Sequence, residues 1–351
     1  MQPSQLKEIE EEKIALICYD KSGYNLNDQQ LSYLAQEIRR SQQINQLKLN
    51  LNNNKFSDKG IQGLFEEIGF LRNLETLEFL LSDNLITGLS LKWVGENIGL
   101  LNSLQKLVLS FQRNKIDSYY FSYLINGILK CKKLEILILY LNDIPIHEEG
   151  MNIFGDGIGK LQMVYSMSLN FWNCLIGSQG IKQLAIGLSK CPQLTDLTLY
   201  LDNNMILDEG AVNLGQYIQN CQLIVKLSIY LEKNSIGDQG VQALMNGISK
   251  LSQLENLNLS LSLNKLTKDS GINIGISLQK TKLLKTLNLN LWGNYLQKDG
   301  IVDLAQYLGT CKEMTHLNIN LADNGVKENI IILALDITKL KNQKLVVNGK
   351  N

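Results

Sequence analysis

The chain has 351 residues, 44% of them hydrophobic, and 34 Lys plus Arg balance 34 Asp plus Glu. That is enough apolar material for a long core, and a formal net charge of zero removes any global electrostatic pull toward nucleic acid or anionic membrane. The first residues are polar and charged rather than an apolar signal segment, and the longest helix-like apolar run, Ile330 to Leu335, is far short of the roughly 20 residues needed to span a bilayer. The expectation is a cytoplasmic protein without a membrane segment.

In chain order, residues 1–13 read as a polar N-terminal tail or cap. From Ile14 a thirty-residue phase begins, with openings at Ile14, Ile44, Leu74, Leu104, Leu134, Val164, Leu194, Ile224, Leu254, Leu284 and Met314. Each opening starts an alternation of apolar and polar residues, which predicts a strand with one buried face. Each ends in an apolar stripe of helical period, such as Val241, Leu244, Ile248 and Leu251. A strand, a turn and a helix of this length cannot bury their own apolar face and need copies of themselves on both sides. The last repeat departs from the pattern, with Ile330 in the slot of Gly240 and Thr338 in the helix-core slot. Residues 344–351 predict a capping strand over the sheet edge and a short tail, with 14–343 as one continuous repeat domain.

The eleventh position of the later repeats is Asn54, Asn84, Asn114, Ile144, Cys174, Asn204, Asn234, Asn264, Asn294 and Asn324. An Asn amide can bond the backbone of its own turn and of its neighbour, so this column predicts a ladder where the strands end. The pattern L-x-x-L-x-L-x-L-x-x-N-x-I resembles leucine-rich repeats, in particular the ribonuclease-inhibitor-like class with a strand and a full helix per repeat. The resemblance runs from Ile14 to about Leu340. The chain departs from that class by one extra x-L step before the Asn (Leu51, Leu201, Leu231) and by Ile144 and Cys174 in the Asn column, where local irregularity is expected. Strands about 4.8 Å apart beneath helices that need about 8–10 Å require each repeat to rotate by about 20–30°. The expected fold is an α/β horseshoe, with the parallel sheet on the concave side and helices on the convex side.

Little in the chain points to enzymatic chemistry. Gly155-Asp156-Gly157-Ile158-Gly159-Lys160 has the composition of a phosphate cradle, but it falls late in a helix and its glycines occupy slots shared with other repeats. Cys131, Cys191, Cys221 and Cys311 share one repeat slot and read as small buried core residues with free thiols, not as metal ligands. His147 and His316 lack the paired spacing of a zinc helix, and neither a nucleophile elbow nor a Cys–His pairing is present. The chain is therefore expected to be no enzyme, and to take no cofactor, metal or small-molecule substrate.

The strand positions that alternate with the core leucines carry more information. Later repeats place only polar residues there (Asn258, Ser260, Asn288, Asn290, Asn318, Asn320), and few charges occur, which argues against a nucleic-acid groove. The middle repeats place Val108, Ile138, Tyr140, Tyr200 and Tyr230 on that face, with Tyr165 and Trp172 nearer the ends of one strand. Tyr joins a large apolar area to a polar tip, so these seven residues are the candidate contact set for a protein partner on the concave face. The expected function is a non-enzymatic protein-binding scaffold in a larger assembly. The family resemblance implies a cytoskeletal or ciliary setting as the specific expectation. A second reading follows from the nuclear-transport GTPase activators that share the repeat class: Arg113, in a strand-to-helix loop, would then act on a small GTPase.

Overall fold

The computed structural model describes residues 15–327 and 344–348. The N-terminal cap expected over 1–13 and the departures at Ile330 and Thr338 lie outside these residues. The chain is α/β, a succession of strand–turn–helix repeats with parallel strands, and it divides into two compact units.

In the first unit the strands are β1 (Ala15–Asp20), β2 (Ile44–Asn50), β3 (Thr76–Leu80), β4 (Lys106–Ser110), β5 (Ile136–Tyr140) and β6 (Ser166–Asn170). Its helices are α1 (Asp28–Arg40), α2 (Asp58–Ile68), α3 (Leu89–Ile98) and α4 (Phe121–Lys130), the last preceded by a short 3-10 turn at Ser118–Tyr120. In the second unit the helices are α5 (His147–Ile158), α6 (Gly177–Leu188), α7 (Leu207–Ile218), α8 (Asp238–Ile248), α9 (Lys268–Gln279) and α10 (Gln297–Leu308). Its strands are β7 (Asp196–Tyr200), β8 (Lys226–Tyr230), β9 (Asn256–Ser260), β10 (Thr286–Asn290), β11 (His316–Asn320) and β12 (Lys344–Asn348). Among the described residues no helix is long and apolar enough to cross a membrane.

The thirty-residue phase sets the strand register directly. Asp196 pairs with Lys226, Lys226 with Asn256 and Asn256 with Thr286, all parallel, and β12 pairs parallel with β11. Burial alternates along most strands, so in β9 Leu257 and Leu259 turn inward while Asn256 and Asn258 stay half-exposed. Leu261, one step past β9, is fully buried as well, and its N–H still donates to Asn290 O at 2.8 Å. The extra x-L step therefore lengthens the paired backbone without turning a leucine outward. One sheet face receives the helices' apolar stripes, for example Val241, Leu244, Met245 and Ile248 of α8, all at 0% exposure. The other face is open.

Small residues let the helices meet at backbone distance. A Cβ on Gly247 in α8 would collide with the Gly215 carbonyl of α7, and a Cβ on Gly187 in α6 would collide with the Gly155 carbonyl of α5. The glycine run around Gly155 is therefore a helix-packing device.

Where the strands end, the asparagine column is a set of buried amides on either side of Ile144 and Cys174. Asn234 Nδ2 donates to Leu201 O (2.9 Å) and Glu232 O (3.1 Å), and Asn234 Oδ1 accepts from Asn204 N (2.9 Å) and Ile206 N (3.2 Å). Asn84, Asn114, Asn264 and Asn294 repeat this scheme. At Ile144 and Cys174 the slot is filled by fully buried apolar side chains instead. The irregularity expected there does not reach the strands, because β5 and β6 keep one-to-one register from Ile136↔Ser166 to Tyr140↔Asn170. The chain passes between the two compact units at Ile146/His147, Gly159/Lys160 and Asn170/Phe171.

Two further columns hold the turns. The residue just before the ladder slot is left-handed in every described repeat, from Gly23 (φ 73°) and Asn53 (φ 54°) to Asp323 (φ 53°). Asn, Asp and Gly fill most of these positions, as the left-handed region prefers, but Arg113, Lys233 and Leu263 adopt it too. At the helix starts, an Asp of one repeat caps the next. Asp208 accepts from Gly237 N (2.6 Å) and Gly240 N (3.1 Å), and Asp238 accepts from Thr267 N (2.9 Å) and from the Ser270 hydroxyl. Burial opposes the charge on Asp238, but the hydrogen bonds from Ser270 and Thr267 outweigh it and lower its pKa.

These contacts separate two kinds of glycine. Gly247→Ala forces α8 away from α7 and is expected to cost about 1–3 kcal/mol in chemical denaturation. Gly63→Ala, where nothing lies within 4 Å of the new methyl, is expected to gain about 0.5–1 kcal/mol. Equal effects of the two substitutions would contradict the helix-contact assignment.

Candidate binding surface on the open sheet face

The seven expected contact residues divide between the two units. Val108 on β4 is paired in register with Glu78 and Ile138, and only 5% of it is exposed. The longer side chains on both sides cover the smaller valine, so it contributes little accessible surface. Ile138 stays half-exposed, and Tyr140 stands two residues along β5, in register with Ser110. Tyr165 is exposed just before β6, and its N–H donates to Glu135 O at 3.0 Å. Val108 and Tyr140 share a shallow concavity of about 450 Å³ with Glu78, Asp83 and Arg113. Trp172, 42% exposed, belongs to the second unit, as do Tyr200 and Tyr230.

Tyr200 and Tyr230 form the best-defined contact of the set. They are in register on β7 and β8, and their rings stack at a centroid distance of 4.7 Å and an interplanar angle of 4°. The strand spacing imposes this contact, since equivalent side chains on neighbouring parallel strands stand about 4.8 Å apart. Burial, followed by the nearby Tyr200 and Asp202, raises the Tyr230 pKa.

Sequence reasoning placed Ser260 and the asparagines of β9, β10 and β11 on this face but did not single out Asp202 and Glu232. A cavity of about 520 Å³ opens beside Tyr230, lined by Asp202, Glu232, Ser260 and asparagines of β9, β10 and β11. Asp202 and Glu232 fill the same slot in adjacent repeats, and that repetition of like charge is the signal that could have found them. Asp202 Oδ1 accepts from Glu232 N (2.6 Å), and Glu232 Oε2 accepts from the Ser262 hydroxyl (3.1 Å). Burial pushes the Asp202 carboxyl up to about 6, and the charge on Glu232 adds to the shift, against the hydrogen bond from the Glu232 amide. Asn258 Nδ2 donates to Ser228 Oγ (2.8 Å) and Asn288 Nδ2 to Asn258 Oδ1 (2.5 Å), a second row of amides across the open face.

The remaining candidates are structural in geometry. Arg113 is gripped by Asp83 in a bidentate pair, Nε to Oδ1 at 2.7 Å and a terminal nitrogen to Oδ2 at 2.5 Å. That hydrogen bond is the leading cause that raises the Arg113 pKa and lowers that of Asp83. Cys131, Cys191 and Cys221 are buried, and burial pushes their thiols up to about 12. Cys311 is only partly buried, which corrects the expectation for that position. Cys191 donates to Ile158 O (3.3 Å), one repeat back, whereas Cys311 donates within its own repeat to Tyr307 O (3.6 Å). His147 opens α5 with φ 56°, and His316 begins β11, exposed. No group of three potential metal ligands occurs among the described residues.

In comparisons with known proteins, the chain matches no family model and no curated protein.

Asp202 provides a pH test of this geometry. Its folded-state pKa of about 6 stands above the ordinary value of about 3.9, so the folded chain holds a proton that the unfolded chain has released between these limits. Stability is therefore lost as pH rises from about 4 through about 6, and the deficit persists above. Asp202→Asn keeps the acceptor for the Glu232 amide. Its melting temperature is expected to exceed that of the wild type at pH 7.5, with the difference shrinking toward pH 4. An offset that does not change with pH would contradict the assignment.

Proposed function

We propose that the chain is a leucine-rich-repeat protein of the ribonuclease-inhibitor-like class that works as a non-enzymatic scaffold, binding a protein partner on the open face of its sheet. The stacked Tyr200–Tyr230 pair carries this reading. Two aromatic rings held flat against each other by the strand spacing present a rigid, amphipathic surface that loses little entropy on binding. The cavity beside them adds hydrogen-bonding groups around that anchor, the arrangement of a contact centre with a polar rim. The alternating core uses every inward side chain for packing, which leaves the outward ones available for recognition. A cytoplasmic setting, and within it a cytoskeletal or ciliary assembly, is part of the proposal. The regulator reading ranks second, since Arg113 would have to leave its bidentate partner Asp83 before it could reach a nucleotide.

Partner capture by the immobilised full chain tests the proposal. Tyr200→Ala with Tyr230→Ala removes the anchor and is expected to weaken capture by roughly thirtyfold, equivalent to about 2 kcal/mol, while the melting temperature stays near that of the wild type. Capture at wild-type strength by a folded double variant would move recognition to the helices or the loops.

A further inference from the structure

The cavity of the second unit has a chemistry that restricts what can enter it. Its two formal charges, Asp202 and Glu232, are both negative, and none of the residues that line it is Lys or Arg. Glu232 has Lys233 at 3.7 Å, but that ammonium stands largely in solvent. A phosphate, a nucleic acid or an acidic segment would meet repulsion without a counter-charge. A purely apolar segment would leave the remaining hydrogen-bonding capacity of the cavity's amides unused.

A basic group meets the opposite conditions. Burial disfavours the charge of Asp202, and an incoming cation would offset that penalty. Tyr230 lines the same cavity, and its ring lies parallel to that of Tyr200, stacked face to face with it. A flat aromatic surface next to carboxylates suits the planar guanidinium of arginine better than an ammonium, because the guanidinium both stacks and bonds a carboxylate bidentately.

The asparagines supply the rest of the match. Asn288 and Asn290 stand two residues apart on one face of β10, and Asn318 and Asn320 do the same on β11. Residues so placed repeat at about 6.6 Å, which is also the repeat of main-chain groups along one edge of an extended polypeptide. A side-chain amide offers both a donor and an acceptor, as a peptide group requires.

We propose that this cavity docks an extended segment of the protein partner, with an arginine beside Tyr230, Asp202 and Glu232 and main-chain groups bonded by the asparagines of β10 and β11. The proposal rests on the protein-binding reading and names the partner's chemistry.

The test pans a displayed library of random decapeptides against the full-length chain, against Asp202→Asn, and against the Tyr200→Ala, Tyr230→Ala variant. Peptides recovered on the wild type are expected to carry arginine at a preferred position. Replacing that arginine by norleucine, or Asp202 by Asn, is expected to weaken binding at least tenfold. Because Asp202→Asn keeps the acceptor for the Glu232 amide, its melting curve separates lost docking from lost folding. Recovered peptides without an arginine preference, or with one that survives Asp202→Asn, would overturn the proposal. If such peptides were still lost on the tyrosine variant, the binding reading would stand without it. Recovery of no peptide, or binding of neutral oligosaccharides abolished by Asp202→Asn, would also overturn it.

Discussion

The structure depends on one repeated interaction, the buried asparagine amide at the end of most strands. A parallel strand pair is closed by hydrogen bonds only along its length, and the chain that leaves it toward a helix carries backbone groups that water cannot reach. Asn234 satisfies four of them, two in its own turn or the preceding repeat as acceptors and two in the preceding repeat as donors. An unmet buried group costs about 1–3 kcal/mol, so each amide stabilises the turn it serves, while the turns at Ile144 and Cys174 keep the same phase without one. The ladder also favours a constant repeat length. The same backbone partners recur only if each repeat returns to the ladder after thirty residues, and the phase admits no insertion between openings.

Once the ladder fixes the turn, the other columns follow. The residue before the amide must be left-handed, the helix must start close enough for an Asp of the previous repeat to cap it, and the helices must pack where glycine or alanine permits. Apolar side chains, mostly leucine, then occupy the inward strand positions, so the outward positions are released from folding requirements. The stacked tyrosines and the polar cavity stand on this released face. Recognition can therefore vary along the chain without a cost to the core.

Most of this was legible in the sequence because it repeats. The strand register, the inward turn of both leucines in the extra step, and the packing role of Gly155 are consequences of phase alone. What the sequence hid depends on neighbours thirty residues away. Val108 alternates correctly but is covered by Glu78 and Ile138 on the adjacent strands. Asp202 and Glu232 read as ordinary loop acids until the strands bring them to one cavity. Arg113, Lys233 and Leu263 give no hint of a left-handed backbone, because the position in the repeat and not the residue type sets it there. Cys311 shares the slot of the buried thiols but is only partly buried.

The most direct measurement of the ladder's role is native-state hydrogen exchange on Asn234→Ala. The amides of Asn204 and Ile206 donate to the Asn234 side chain from the preceding repeat. In the variant these two should exchange at least tenfold faster than in the wild type, while strand amides such as those of β10 keep their protection. Unchanged protection at Asn204 and Ile206 in a folded Asn234→Ala chain would show that the turns hold without the amide, and would contradict the account.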